Sequence, residues 1–155
     1  MANRLVRLTP VSAATSTPDA GAAFNKTNTQ PITGLTTGAG ICVDKSENIY
    51  VCDYANHVVY RYRKGDTQSY IFAGAYGQSG SSDGAYSAAR FNQPTAICVD
   101  NSGNVYLIDS GNALIRRIDQ NANVTTVASI PSPADETGGI AIDASGNIYY
   151  MDSTA

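Results

Sequence analysis

Short apolar runs, each cut by a turn, recur along the chain, and no apolar stripe of helical spacing lies between them. The stretches "GICVDKSENIYVCDYANHVVYRY" (40–62), "AICVDNSGNVYLIDSGNALIRRI" (96–118) and "GIAIDASGNIYYMDSTA" (139–155) align with Ile41, Ile97 and Ile140 in register. Self-similarity on this scale marks stacked supersecondary units. Each unit reads as a strand ending in Asp44, Asp100 or Asp143, a tight turn, and a strand ending in Asp53, Asp109 or Asp152. Gly103 and Gly146 supply the positive φ that a tight hairpin wants, and Glu47 at the matching place predicts a strained or different turn. A second turn, holding Asn56 or Asn112, leads into "HVVYRYRKG" or "ALIRRIDQN" and then "SYIFAG" or "VTTVAS", which makes four antiparallel strands per unit. The runs "IYVC", "VYLI" and "IYYM" do not alternate apolar with polar, so both faces of each sheet must be covered. Sheets packed one on the next around a ring meet that demand.

Composition agrees with an all-β protein of one domain's size: 155 residues, 43% hydrophobic and 15% charged, with ten Tyr and fourteen Gly. The net charge of −3 disfavours a sequence-independent nucleic-acid binder, whose affinity rests on neutralising phosphates. "MANRLVRLTPVSAATSTPD" has no apolar h-region, and no window approaches the roughly 18 to 20 apolar residues of a membrane span. The expectation is therefore no standard secretion signal, no membrane insertion, and a cytoplasmic or virion location. Cys42, Cys52 and Cys98 are odd in number and sit in apolar runs, where a cysteine serves as a small buried hydrophobe; disulfide and zinc readings are both weak.

The phrase "NIYVCDYANHVVYRY" together with "AGAYGQSGSSDGAYSAARFNQPTAICVD" (73–100) resembles the NHL-repeat β-propellers, including their "DG…A.F..P" link between units. The resemblance spans most of residues 37–155. Asn56 and His57 carry the first two letters of the name motif, Val58 replaces its leucine, and "NAL" stands at 112–114. The fold it implies is a propeller of four-stranded blades, with full blades over 37–93 and 94–137. "NRLVRL" (3–8) resembles "NALIRRI" (112–118), and "DAGAAFN" (19–25) echoes the link "DGAYSAARFN" (83–92). Residues 1–36 thus read as the third and fourth strands plus exit link of a blade whose first two strands lie in 138–155. Rings hold about four to eight blades, so three blades per chain point to a six-bladed ring made by a homodimer. Leu5, Val6 and Leu8 of one copy would then complete a blade with Ile148 and Tyr150 of the other. The alternative is that the chain is one piece of a longer propeller.

The candidates for chemistry each carry a structural reading beside the functional one. His57 is the single histidine and occupies a repeat position held by Ala113 in the next unit, which reads as a turn residue. The recurring aspartates could hold calcium near the ring axis, a hard cation that takes six to eight oxygens, but recurrence in every unit fits turn capping. Arg4, Arg7, Arg61, Arg63, Lys64, Arg116 and Arg117, interleaved with Tyr60 and Tyr62, could form an RNA-stacking face and read more simply as a solvated rim. "GAYGQSGSSDG" (74–84) lacks GK[ST] and a following helix; it reads as a flexible surface loop available to partners. No residue is singled out as catalytic, cofactor-binding or metal-ligating.

The expected function is a non-catalytic scaffold or binding module whose blade loops engage a protein or glycan. Its Thr, Ser, Asn, Gly and Ala richness is akin to phage or other virion structural proteins. The resemblance also implies two alternatives: a lyase- or lactonase-type propeller enzyme with an axial divalent metal, and an RNA-binding NHL domain.

Overall fold

A computed structural model describes residues 34–66, 68–131 and 138–151, and the backbone of two strands nearer the N-terminus. Those two are β1 (Arg4–Pro10) and β2 (Phe24–Pro31), an antiparallel pair. The first full sheet follows: β3 (Gly38–Val43), β4 (Ile49–Asp53), β5 (Val58–Tyr62) and β6 (Tyr70–Ala73), paired in chain order. A two-residue strand, β7 (Gly84–Ala85), precedes β8 (Pro94–Val99), β9 (Val105–Asp109), β10 (Leu114–Ile118) and β11 (Asn123–Ser129). The last hairpin is β12 (Ile140–Ile142) with β13 (Ile148–Tyr150). Two four-stranded meanders flanked by two hairpins are what the repeat pattern predicts.

β7 is an addition to that pattern. It pairs antiparallel with β11 and gives the second blade a fifth strand, drawn from the chain that enters it. The last two residues of the "DAGAAFN" echo depart from expectation, and residues 19–23 lie outside the described residues. Phe24 and Asn25 belong to β2 and pair with Pro10 and Thr9, so they are strand rather than exit link. The β1–β2 pair shares one register feature with two other hairpins. β5–β6 slips between Val59 and Tyr60, β10–β11 between Ile115 and Arg116, and β1–β2 between Val6 and Leu8. These positions coincide when "NRLVRL" is laid on "NALIRR", so all three hairpins carry a β-bulge at the same step.

The blades stack face to face. One face of the first blade, through Cys42, Tyr50, Cys52, Val59 and Phe72, meets Ile97, Val99, Val105, Leu107 and Ile118 of the second. The second blade's opposite face, through Ala96, Ile108 and Ile115, meets Ile140, Ile148 and Tyr150. Covering both faces is why the middle strands lack alternation. Val105, Leu107 and Ile108 are all buried although they point to opposite sides of the sheet. The three cysteines are free thiols in or beside this core, and burial first of all pushes Cys42 up to about 12 and Cys98 up to about 11. No helix among the described residues is long and apolar enough to cross a membrane.

Candidate functional site

The recurring aspartates divide into two structural kinds. At the first turn of each unit the carboxylate closes the loop on itself. Asp44 Oδ1 accepts the amides of Ser46 and Asn48 at 2.9 and 2.8 Å, while Oδ2 accepts Asn48 Nδ2 at 2.8 Å and the Tyr50 hydroxyl at 3.1 Å. Asp100 takes the same four donors from Ser102, Asn104 and Tyr106, and Asp143 takes them from Ser145, Asn147 and Tyr149. The Asp-x-Ser-x-Asn-x-Tyr spacing is thus a turn with its own cap. Hydrogen bonds from Asn147 hold Asp143 below its ordinary pKa; at Asp100 burial opposes the charge, yet the bonds from Asn104 and Ser102 prevail and lower it. Asp119 in the β10–β11 turn repeats the device with Asn121 and Asn123, with Thr125 where the other turns have a Tyr. Glu47 adopts φ 63°, matching 83° at Gly103 and 86° at Gly146; the turn is the same, built with a residue that prefers to avoid that region.

At the end of the second strand the carboxylate holds the incoming link. Asp53 accepts the amides of Thr36 and Asn56 at 2.9 and 3.2 Å and Asn56 Nδ2 at 2.9 Å. Asp109 accepts the amide of Asn92 at 2.6 Å and Asn112 Nδ2 at 2.7 Å. It also accepts Arg116 Nη1 at 2.7 Å, and both side chains are fully buried. Arg116 Nη2 reaches Asp83 at 2.8 Å, its two terminal nitrogens reach the carbonyls of Arg90 and Ser82, and its guanidinium lies over the Phe91 ring at 5.3 Å. Burial pushes Asp109 up, against the bonds from Asn92, Asn112 and Arg116. The "DG…A.F" link therefore supplies an acid and a ring that clamp one arginine. This corrects the solvated-rim expectation for Arg116. Arg117 is also engaged, donating to Asn104 Oδ1 at 2.7 Å.

The 74–84 segment is likewise tied down rather than loose. Gly77 donates to the Asn56 carbonyl, Gly80 to that of Phe91, and Asn112 Nδ2 to that of Gly80. His57 sits at φ 59° and its Nδ1 accepts the Gln93 amide at 3.0 Å, so it is a turn residue bound to the next link. Among the described residues no three His, Cys, Asp or Glu side chains gather as a metal site. Asp152 and the side chains of Leu5, Val6, Leu8, Arg4 and Arg7 fall outside the described residues; Ile148 and Tyr150 lie on β13, packed toward the second blade.

One polar cleft, of about 230 Å³, opens between the first turns of the two full blades. Lys45, Tyr50 and Arg61 line one side, and Asn101, Ser102 and Gln120 the other. Arg61 lies over Phe72 at 4.4 Å, which holds its charge at the cleft wall. Burial, then Asp44, pushes Tyr50 up to about 12, so its hydroxyl stays a neutral donor and acceptor. Amides, hydroxyls and two cations suit hydrogen-bonding recognition of a polar ligand.

A family model for the NHL repeat matches residues 91–118, from Phe91 of the arginine clamp through the end of β10. The chain is also 35% identical over 102 residues to NHL repeat-containing protein 2 of Gallus gallus, a match covering 64% of this chain and 14% of that protein. The chain thus carries an NHL repeat at residues 91–118 and is similar to a protein of the NHL-repeat family. It spans only about a seventh of that relative. Among solved structures, the chain is similar to a structural genomics protein of unknown function from Bacteroides thetaiotaomicron, with TM-score 0.66 and 23% identity over 84% of this chain and 37% of that one. It is also similar to virginiamycin B lyase from Staphylococcus aureus, with TM-score 0.55 and 14% identity over 77% of this chain and 36% of that one. At these identities the likeness is one of fold, a β-propeller arrangement of antiparallel blades.

Proposed function

We propose that this chain is a non-catalytic binding module, a propeller whose turn-end clefts engage a protein or a glycan. The observation that carries the reading is how the described recurrent carboxylates are used. Asp44, Asp100 and Asp143 are filled by their own turns, and Asp53 and Asp109 by the links, which leaves them as structural caps rather than metal ligands or acid–base groups. His57 is spent on the Gln93 amide. The cleft between the first turns offers donors, acceptors and positive charge without a nucleophile–base pair.

The ring is proposed to have six blades and to be closed by two copies, β1–β2 of each completing the blade begun by β12–β13 of the other. Support comes from the shared bulge position of β1–β2, β5–β6 and β10–β11. The likeness to virginiamycin B lyase favours a second reading equally at the level of fold: an enzyme of lyase or lactonase type with an axial divalent metal. The virion setting has no support beyond composition. Nucleic-acid binding is the weakest reading, because Arg116 and Arg117 are engaged within the protein.

Metal analysis of the purified chain, combined with titration of oligosaccharides monitored by NMR, separates the two main readings. The binding module is expected to carry no stoichiometric divalent metal and to show glycan- or protein-induced shifts at Tyr50, Arg61 and Gln120. One tightly held metal per ring, with turnover of an ester or lactone that EDTA abolishes, would replace it with the enzyme.

A further inference from the structure

The stacking of blades inside the chain defines a repeated interface with two distinct sides. The leading side uses Cys42, Tyr50 and Cys52 in the first blade, matched by repeat position to Cys98, Tyr106 and Ile108 in the second and to Ala141, Tyr149 and Met151 in the last hairpin. The receiving side uses Ile97, Val99, Val105 and Leu107 in the second blade, matched to Ile41, Val43, Ile49 and Val51 in the first. Leading meets receiving between the first and second blades and again between the second blade and the last hairpin. One side of each kind is left over at the two ends of the stack.

Both leftovers are bare where the internal copies are covered. On the leading side Tyr149 is 58% exposed and Met151 68%, around a shallow apolar depression on β12–β13. On the receiving side Ile41 and Val43 are each 58% exposed, whereas Val51, Val58 and Tyr60 of the same face are buried. The uncovered area is thus confined to the innermost strand, the strip that a two-stranded hairpin lying alongside would cover.

The glycines point to the same fit. An added Cβ on Gly40 would lie 2.4 Å from the Thr95 carbonyl oxygen, because β3 and β8 meet there through bare backbone. Gly139 holds the same repeat position on the leading side of the last hairpin, and an added Cβ there meets nothing within 4 Å. Among the described residues of one copy nothing in that space accounts for a glycine, whose backbone freedom costs stability.

We infer that the occupant is a second copy of this chain: the β12–β13 hairpin of one seats Gly139, Ala141, Tyr149 and Met151 on Ile41 and Val43 of the other. The inference rests on the two-copy ring proposed above and adds the faces that join it. Because leading and receiving sides differ, each copy both gives and receives, and a ring closes when two copies each span half of it. The choice of a second copy follows from continuity. The unfilled faces are the two halves of an interface the chain already makes twice with itself.

Sedimentation equilibrium on the full chain, with Gly139→Val and Met151→Asp, tests this. The wild type is expected at twice 16.2 kDa. Each variant is expected to weaken self-association at least tenfold, while far-UV circular dichroism and the melting temperature at dilute concentration stay as in the wild type. A monomeric wild type would overturn both the ring and the seating, handing the faces to further blades or another protein. A wild-type dimer that both variants form undiminished would overturn the seating alone and leave the two-copy ring standing.

Discussion

The second blade and the last hairpin are written in nearly the same phrase, "NVYLID" and "NIYYMD", and they fold into the same hairpin with the same self-capped turn. Their surroundings differ. Leu107 and Ile108 are sealed between neighbouring sheets, while Met151, the counterpart of Ile108, stands open. The contrast teaches that the turn chemistry is local and sets the hairpin, whereas the burial is non-local and comes only from the next sheet. It also shows what the second blade has in addition: a fifth strand and a buried arginine held by the incoming link.

The largest way to break the contrast is to remove that arginine. Arg116→Met takes away the partner of Asp109, which is fully buried, and uncovers one side of Phe91. Breaking a buried pair from one side costs about 3–5 kcal/mol, because the remaining charge has no water to return to. Urea unfolding should show a loss of that order, and adding Asp109→Asn should recover part of it by removing the stranded charge. A loss below about 1 kcal/mol would mean that the link rather than the ion pair holds the blade. In the first blade the same position is Tyr60, so the arginine clamp belongs to the second blade and not to the repeat as such.

Next in size is the burial difference itself. Ile108→Ala should cost about 2–5 kcal/mol through lost contacts and the cavity left behind. Met151→Ala, measured at dilute concentration, should stay within about 0.5 kcal/mol, as for other exposed positions. Equal losses in thermal or urea denaturation would show that the last hairpin is covered even in the single copy.

What the sequence made legible follows this division between local and distant. The strands, the turn glycines and the capping aspartates were readable because Asp44, Asn48 and Tyr50 lie within one hairpin and recur with fixed spacing. The role of Arg116 was not, because Asp83 lies 33 residues away, and a charged side chain on a third strand ordinarily marks solvent. Asp83 and Phe91 were visible as parts of a linking motif; their purpose appears only when the link folds back over β10. The strand Phe24–Pro31 was missed for the opposite reason. Its "FNKTNTQP" has little apolar pattern, so a short echo of the link outweighed it. The tethering of 74–84 is carried by backbone groups, which the identity of its glycines and serines does not specify.

The smallest effect sharpens the comparison by asking whether the two turns are equivalent despite unequal cover. The fold lowers the pKa of both Asp100 and Asp143, chiefly against burial at the first and through Asn147 at the second. A carboxylate whose folded pKa lies below its unfolded value binds protons more weakly in the folded state. Its stabilisation is complete above the unfolded value of about 3.9 and is lost as the pH falls through the lowered folded value. These turns should therefore leave the melting temperature flat between pH 5 and 8, by this linkage, and weaken the protein only below about pH 4. Asp100→Asn and Asp143→Asn should each flatten part of that acid limb, and to a similar degree, because the four donors are the same in both turns. A response confined to Asp100→Asn would show that the cap lowers the pKa only where a neighbouring blade holds the turn in place, and the separation of local turn from distant cover would fail at the feature that recurs most faithfully.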